Sequence, residues 1–344
     1  MKPTKSNHFN KTFSKNKFIF SETIFSMLIF LVMLLIISNP SKYSKGTIEG
    51  INLFITAVMP GLFPFMLLTK LLIELGFVFK ITKKCDKFSQ KLFGTPGISL
   101  FAFFMSILSG YPIGAKIISE LFQKGLISES DAKKMSIFCT TSGPIFVIGA
   151  VGTSLFGEYK IGVILYLSHI LSSIILGIGF NLFSKKNPNE STNRPQMQIE
   201  IIKKDNIFAS CVVETINSIF VVGAYITIFY LIGEILDTFK IMQAISEFLF
   251  LITKPFKATF LECQSFTYGL LEVTRACKSF ALCKTNLSIA LCCGVISFSG
   301  FSIIMQSMAF LKTAKIKMHS FIFAKLVHMI VSIFICFLML VTFL

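Results

Sequence analysis

An apolar run over residues 98–121 is broken at its centre by Ser109-Gly110-Tyr111-Pro112-Ile113-Gly114-Ala115-Lys116. The stretch ahead of the break is too short to cross ~30 Å of hydrocarbon, which takes ~20 helical residues. A helix should continue there, but the chain supplies two glycines, a proline and a lysine. At membrane depth, backbone outside a helix persists only when buried in protein or lining a wet cavity. The octapeptide therefore reads as a site, and the remaining sequence as what builds it.

The membrane premise rests on composition. Of 344 residues, 53% are hydrophobic and 15% charged, against ~25% charged in an average soluble domain. Mean hydropathy is +0.75. The long apolar runs do not alternate in polarity, which excludes a transmembrane β-barrel. The expected fold class is an all-α polytopic integral membrane protein. The net charge of +16 comes from lysines scattered between apolar spans. That is the pattern of cytoplasmic loops, not of a nucleic-acid-binding domain. The nine cysteines include no CxxC pair and fall mostly in apolar runs. They read as small hydrophobes, with no metal site. No catalytic motif or cofactor signature is present, so no enzymatic activity is expected.

Residues 1–19 form a basic segment without acids, followed by a first span over 20–38. That run is long for a signal peptide and lacks a small-residue cleavage site, so an uncleaved span with a cytoplasmic N-terminus is expected. A short outer loop is expected up to Gly50, then a span over 51–79 that Pro60 and Pro64 kink without breaking. Lysine-rich loops are expected at 80–91 and 312–317, with a charged loop at 123–134. The polar stretch 184–206 reads as a cytoplasmic linker between units 48–183 and 207–344. Apolar runs at 135–156 and 287–311 are interrupted at Thr140-Thr141-Ser142-Gly143-Pro144 and at Ser297-Phe298-Ser299-Gly300.

The two units repeat. Gly269 follows Gly110 by 159 residues, Arg275 follows Lys116 by 159, Ser299-Gly300 follows Ser142-Gly143 by 157, and His328 follows His169 by 159. If each first broken segment is re-entrant, each unit crosses the membrane three times. The lysine-rich loops then all face the cytoplasm. Units with an odd number of crossings have opposite orientation, the inverted-repeat plan of many secondary transporters.

The candidate binding residues are those at or beside the breaks: Ser109, Gly110, Tyr111, Pro112, Gly114, Lys116, Thr141, Ser142, Gly143, Gly269, Glu272, Thr274, Arg275, Ser299, Gly300 and Gln306. The glycines permit either an unwound backbone or close helix packing. Lys116 and Arg275 either face a cavity or snorkel to an interface. Glu272 is too short to snorkel far and is the first choice for contacting a cation, proton or polar ligand. His169 and His328 are either satisfied intramembrane histidines or a proton relay.

The ordered motifs Ser-Gly-Tyr-Pro-x-Gly-Ala at 109–115, Thr-x-Gly-Pro at 141–144, Gly-Leu-Leu-Glu-x-Thr at 269–274 and Ser-Phe-Ser-Gly-Phe-Ser at 297–302, with Gln306, resemble the YlbJ-type sporulation integral membrane proteins of spore-forming Firmicutes. That group belongs to the nucleoside-recognition, or Gate, superfamily. Its relatives include spore maturation proteins A and B, the gate of ferrous-iron transporter B and concentrative nucleoside transporters. The resemblance spans roughly 50–340. It implies a role in forming the spore cortex or envelope and a site built from paired hairpins. It also implies that Glu272 and Thr274 stand where nucleoside-transporting relatives contact ligand. The expected function is a transporter or gated pore for a small polar solute or ion, in the mother-cell or forespore membrane. The alternative is a non-transporting scaffold. Expected partners are the lipid bilayer, the solute, and further copies or other sporulation membrane proteins; no nucleic acid and no cofactor are expected.

Overall fold

The computed structural model describes residues 23, 24, 26–183 and 206–343. The basic segment 1–19 and all of the linker except Asn206 lie outside the described residues. Among the described residues there is no strand. The helices are α1 (Ser26–Ser38), α2 (Pro40–Leu53), α3 (Met59–Glu74), α4 (Phe77–Phe93), α5 (Ile98–Ser109), α6 (Ile113–Gln123), α7 (Glu129–Phe138), α8 (Tyr159–Phe183), α9 (Ile207–Thr238), α10 (Ile241–Thr253), α11 (Phe260–Leu271), α12 (Val273–Cys283), α13 (Asn286–Phe298), α14 (Gly300–Leu311) and α15 (Met318–Phe343), with π-helical stretches at Phe54–Val58 and Ile145–Leu155. Helices α8, α9 and α15 and the α13–α14 unit are each long and apolar enough to cross a membrane. Two more spans follow if each bent pair, α1 with α2 and α4 with α5, counts as one. The chain is an all-α polytopic membrane protein.

Two expected loops are helices instead. The segment before Gly50 belongs to α2, which meets α1 at 106°. Asn39 accepts a hydrogen bond from the Lys42 N–H and Pro40 takes the first helical position. Those are helix-start signals, although the same residues also make turns. Tertiary packing decides between the two. Gly46 and Gly50 press α2 onto α9 so closely that a Cβ on Gly50 would stand 2.8 Å from the Thr227 Cα. The lysine-rich segment 80–91 lies in α4, which bends by 79° into α5. Its apolar residues recur at helical spacing between the lysines, a pattern that a count of charges hides. Pro60 and Pro64 are accommodated, as expected, without a break. The π-helical stretch absorbs the first, with Met59 N–H donating to the Phe54 carbonyl, and α3 runs through the second.

The internal repeat reappears as architecture. In the first unit α5 and α6 meet at a break, α7 and the π-helix Ile145–Leu155 meet at another, and α8 follows; in the second unit α11 and α12, α13 and α14, then α15 repeat the order. His169 of α8 stacks on His328 of α15 with ring centroids 4.8 Å apart.

Helix α9 sets the relative orientation. Lys116 donates to Ser218 Oγ at 2.5 Å, whereas its equivalent Arg275 binds Asp237 at 2.9 Å and Glu234 at 3.9 Å. All three acceptors lie on α9, and 16–19 residues separate them, about 24–28 Å of helix. That approaches the ~30 Å hydrocarbon thickness. Equivalent residues fastened 16–19 residues apart along one spanning helix fit an inverted repeat. We therefore expect cysteines at Asn206 and Lys240, which flank α9, to react with a membrane-impermeant maleimide from opposite sides of intact and inverted vesicles. Labelling of both from one side would refute this topology.

Candidate functional site

The first break begins where α5 ends. Gly110 adopts φ +83° and ψ −172°, in the region that favours glycine. A Cβ there would lie 2.5 Å from the Gly143 nitrogen. The two breaks of the first unit thus touch backbone to backbone. In the second unit Gly300 lies in the same way against the carbonyls of Gly269 and Leu271.

Between α7 and Ile145 the chain runs unwound, and three of the freed polar groups have specific partners. Pro144 has no N–H, so the Thr140 carbonyl loses the donor that a continuing helix would give it. Lys325 of α15 supplies one, with Nζ 2.6 Å from that oxygen. Ser106 Oγ accepts the Thr141 N–H at 3.0 Å, and His169 Nε2 accepts the Ser142 N–H at 2.8 Å. Because a backbone N–H only donates, Nε2 must be bare and the His169 proton sits on Nδ1. Nδ1 in turn donates to Ser297 Oγ at 2.8 Å, on α13 of the other unit. His328 Nε2 donates to the His169 carbonyl at 3.1 Å.

This scaffold surrounds a cavity of about 220 Å³. Of the residues expected from sequence, Ser109, Gly110, Tyr111, Ser142, Gly143, Glu272, Thr274 and Gln306 line it, and both units contribute. Pro112, Gly114, Thr141, Gly269, Ser299 and Gly300 shape the breaks behind it. His169 and His328 are buried in the scaffold, and Lys116 and Arg275 stand at separate charged clusters. Leu62, Val222 and Ile226 form part of an apolar wall.

Among the described residues, Glu272 is the one Asp, Glu, Lys, Arg or His in the lining. It interrupts the helix with extended backbone and accepts the Arg275 N–H through Oε2 at 2.7 Å. It therefore caps α12, placing a carboxylate against the positive end of that helix. Gln306 donates to Ser302 Oγ at 3.2 Å, and Tyr111 OH donates to the Ile296 carbonyl at 3.4 Å.

Sequence reasoning missed Ser302 and Lys325. Ser302 precedes Gln306 by one helical turn of α14, a spacing that places both on one face. Lys325 is 2% exposed, with its ammonium 4.6 Å from the Tyr111 ring centroid. A lysine inside the last apolar span was itself the signal.

The charged clusters flank the cavity. On one side Lys70 pairs with Glu74 at 3.1 Å, Glu120 at 3.6 Å and Glu214 at 2.7 Å, and Lys124 pairs with Glu74 at 3.0 Å. On the other, the Arg275 guanidinium lies 4.1 Å over the Tyr268 ring, and Tyr268 OH donates to Asp237 at 2.5 Å. A second cavity of about 380 Å³ opens beside Arg275, Glu234 and Lys278, and Thr274 borders both cavities.

No family model matches the chain, and no solved structure matches it. It is similar to the sporulation integral membrane protein YlbJ of Bacillus subtilis (strain 168), with 25% identity over 317 residues that cover 85% of this chain and 76% of that protein. The similarity supports the YlbJ-type resemblance carried by the motifs at the breaks.

Replacing Lys325 by Met should leave the Thr140 carbonyl buried without a donor, at a cost of about 1–3 kcal/mol. We expect a lower thermal midpoint in detergent and faster proteolysis near Thr140. An unchanged midpoint would show that the lysine does not hold the unwound segment.

Proposed function

We propose that this protein moves a small polar solute or ion across a membrane of the sporulating cell and is needed to form the spore cortex or envelope. The observation that carries this reading is the cavity: a mostly apolar space with a carboxylate, hydroxyls and an amide in its wall, inside a membrane-spanning bundle and lined by the helix breaks of both repeat units. Helix breaks cost hydrogen bonds in hydrocarbon. A chain that builds several around one space, and satisfies them with a buried lysine and histidine, maintains that space for a purpose. The similarity to a sporulation integral membrane protein supports the cellular setting. The Gate-type resemblance supports a hairpin-built transport site.

The two charged clusters suggest how access alternates. Each fastens one hairpin to α9, Lys116 through Ser218 within the helix and Arg275 through Asp237 at its C-terminal end. The cavity residues Val222 and Ile226 lie between those points on the same helix. The Arg275 side adjoins an open vestibule, while the Lys70–Glu120 side is packed closed around a space of about 10 Å³. In this reading the clusters are latches on opposite membrane faces, released in turn. With the linker inside by its basic residues, the Lys116 latch is cytoplasmic and the Arg275 latch faces outward.

The test uses a deletion strain complemented with variants. Glu272→Gln retains an oxygen that can cap α12 but removes the charge from the cavity. We expect at least a tenfold loss of heat-resistant spores at undiminished protein level in the membrane. Full complementation would defeat the solute reading and favour a scaffold. Arg275→Gln should release one latch and raise labelling of a cysteine at Thr274 from the outer face at least threefold.

A further inference from the structure

The charged cluster on the Lys116 side contains a carboxylate that no hydrogen bond holds. Glu120 of α6, with a side chain 12% exposed, lies 3.6 Å from Lys70 Nζ and 3.8 Å from Lys116 Nζ. Both distances are beyond a hydrogen bond. Each ammonium is engaged elsewhere: Lys70 with Glu214 at 2.7 Å and Glu74 at 3.1 Å, and Lys116 with Ser218 at 2.5 Å. Among the described residues, Glu120 Oε2 is the one buried carboxylate oxygen without a hydrogen-bond partner. Thr69 is 3% exposed, and its hydroxyl also lacks a partner. It borders the same space of about 10 Å³ as Glu120, Lys70 and Lys116. A carboxylate only accepts hydrogen bonds, whereas a protonated carboxyl also donates, and a hydroxyl can accept from it. Thr69 is a group in that wall with this capacity free.

The surrounding charges set the consequence of adding a proton. The groups that face Glu120 are Lys70 and Glu74 of α3, Glu214 and the Cys211 thiol of α9, and Lys116 on its own helix, with Lys124 joined through Glu74. Helices α5, α7 and α14 and the turn Lys312–Ala314 also pack on α6. Among the described residues none of them contributes an ion pair to Glu120. Three ammoniums thus meet three carboxylates. A buried carboxylate that is paired but not hydrogen-bonded is costly, and its neutral form avoids that cost. Once Glu120 is neutral, three ammoniums face two carboxylates. Lys116, whose one ion pair among the described residues is with Glu120, keeps only Ser218. An uncompensated cation at low dielectric is relieved by water, and water between α3, α6 and α9 would loosen the hairpin from α9.

The other cluster lacks this device. Arg275 binds Asp237 at 2.9 Å, and a guanidinium keeps its charge. Ser279 stands 159 residues after Glu120, and its hydroxyl accepts from Ser265 at 2.6 Å.

We propose that Glu120 is a proton-binding site and that proton binding releases the Lys116 side of the cavity. The proton comes from water on that side and adds to a carboxylate oxygen to give a neutral carboxyl group, with no electron transferred. This rests on the latch reading above and adds the proton as the ion that works one latch. By linkage, the released form binds the proton more tightly by the same factor that the proton favours release.

The full-length protein in nanodiscs would be acidified and followed by infrared difference spectroscopy, which reads the carbonyl stretch of a protonated carboxyl group. Surface carboxylates contribute alike to every variant. We expect one band that is lost in Glu120→Gln, kept in Glu272→Gln, and restored at a shifted position in Glu120→Asp. The second measurement reads release. Ile117 is 1% exposed in the wall of the small space. A cysteine introduced there would be labelled with a membrane-impermeant maleimide at one fixed pH, and its adduct located by peptide mass spectrometry so that native cysteines do not count. Glu120→Gln, which imitates the neutral form, should raise labelling at least threefold, and Glu120→Asp should return it towards the parent level. A band indifferent to Glu120→Gln would overturn the proposal, as would unchanged labelling, or labelling that Glu120→Asp raises as much as Glu120→Gln does. Failure here and failure of the transport reading are separable. Loss of heat-resistant spores in Glu272→Gln with no titrating Glu120 sinks only the proton site. Intact Glu272→Gln spores together with no titrating Glu120 sink both.

Discussion

In hydrocarbon every backbone polar group must be satisfied by the protein, and this constraint organises the molecule. Around Thr140–Pro144 the helix stops because proline cannot donate. Three residues from three helices then take over: Lys325 for a carbonyl, Ser106 and His169 for N–H groups. Two of these interactions tie the units together. Lys325 belongs to α15, and His169 passes its other ring nitrogen to Ser297 on α13. The unwound segment is thus part of the seam that joins the two halves. A buried ammonium is expensive in a membrane, and its position on an orphan carbonyl explains why it is there.

The second organising element is α9. It belongs to the second unit, yet each hairpin is fastened to it, one at Ser218 and one at its C-terminal end. The cations that fasten them are repeat equivalents, Lys116 and Arg275. Repeat equivalents thus fasten the two hairpins at well-separated points of one helix. The halves are not copies in chemistry. One hairpin carries Gly-Tyr-Pro-Ile-Gly and an open helix end; the other carries Gly-Leu-Leu-Glu-Val and a capped one. The carboxylate in its mostly apolar lining, Glu272, comes from the second hairpin alone.

Much of the site was legible in the sequence because glycine, proline and charge inside an apolar run have few bland explanations. Gly110, Ser142, Gly143 and Glu272 were expected at breaks and are there. Lys116 and Arg275 were left between two readings; the fold keeps both out of the central cavity and pairs them. What escaped was of two kinds. Asn39-Pro40 and the lysines of α4 carry signals that serve loops and helices alike, and packing against α9 or the bend into α5 chooses between them. Lys325 escaped because its partner is remote in sequence, and Lys70 because two of its three carboxylates, Glu120 and Glu214, are. A lysine looks like a span end until an orphan carbonyl or a carboxylate on another helix is seen beside it.

The sequence by itself determined that the chain crosses a membrane as helices, that several of these are broken, and that the breaks recur at a nearly fixed interval. These follow from local chemistry: hydrophobic length, missing donors and missing side chains. Only the tertiary structure decided that the breaks of both units meet around one cavity, which residue satisfies each freed backbone group, and which charges line the space instead of standing at its ends. Those outcomes depend on groups of different helices, from 27 residues apart for Ser142 and His169 to 185 for Thr140 and Lys325, being brought within hydrogen-bonding distance, and no local pattern encodes such distances.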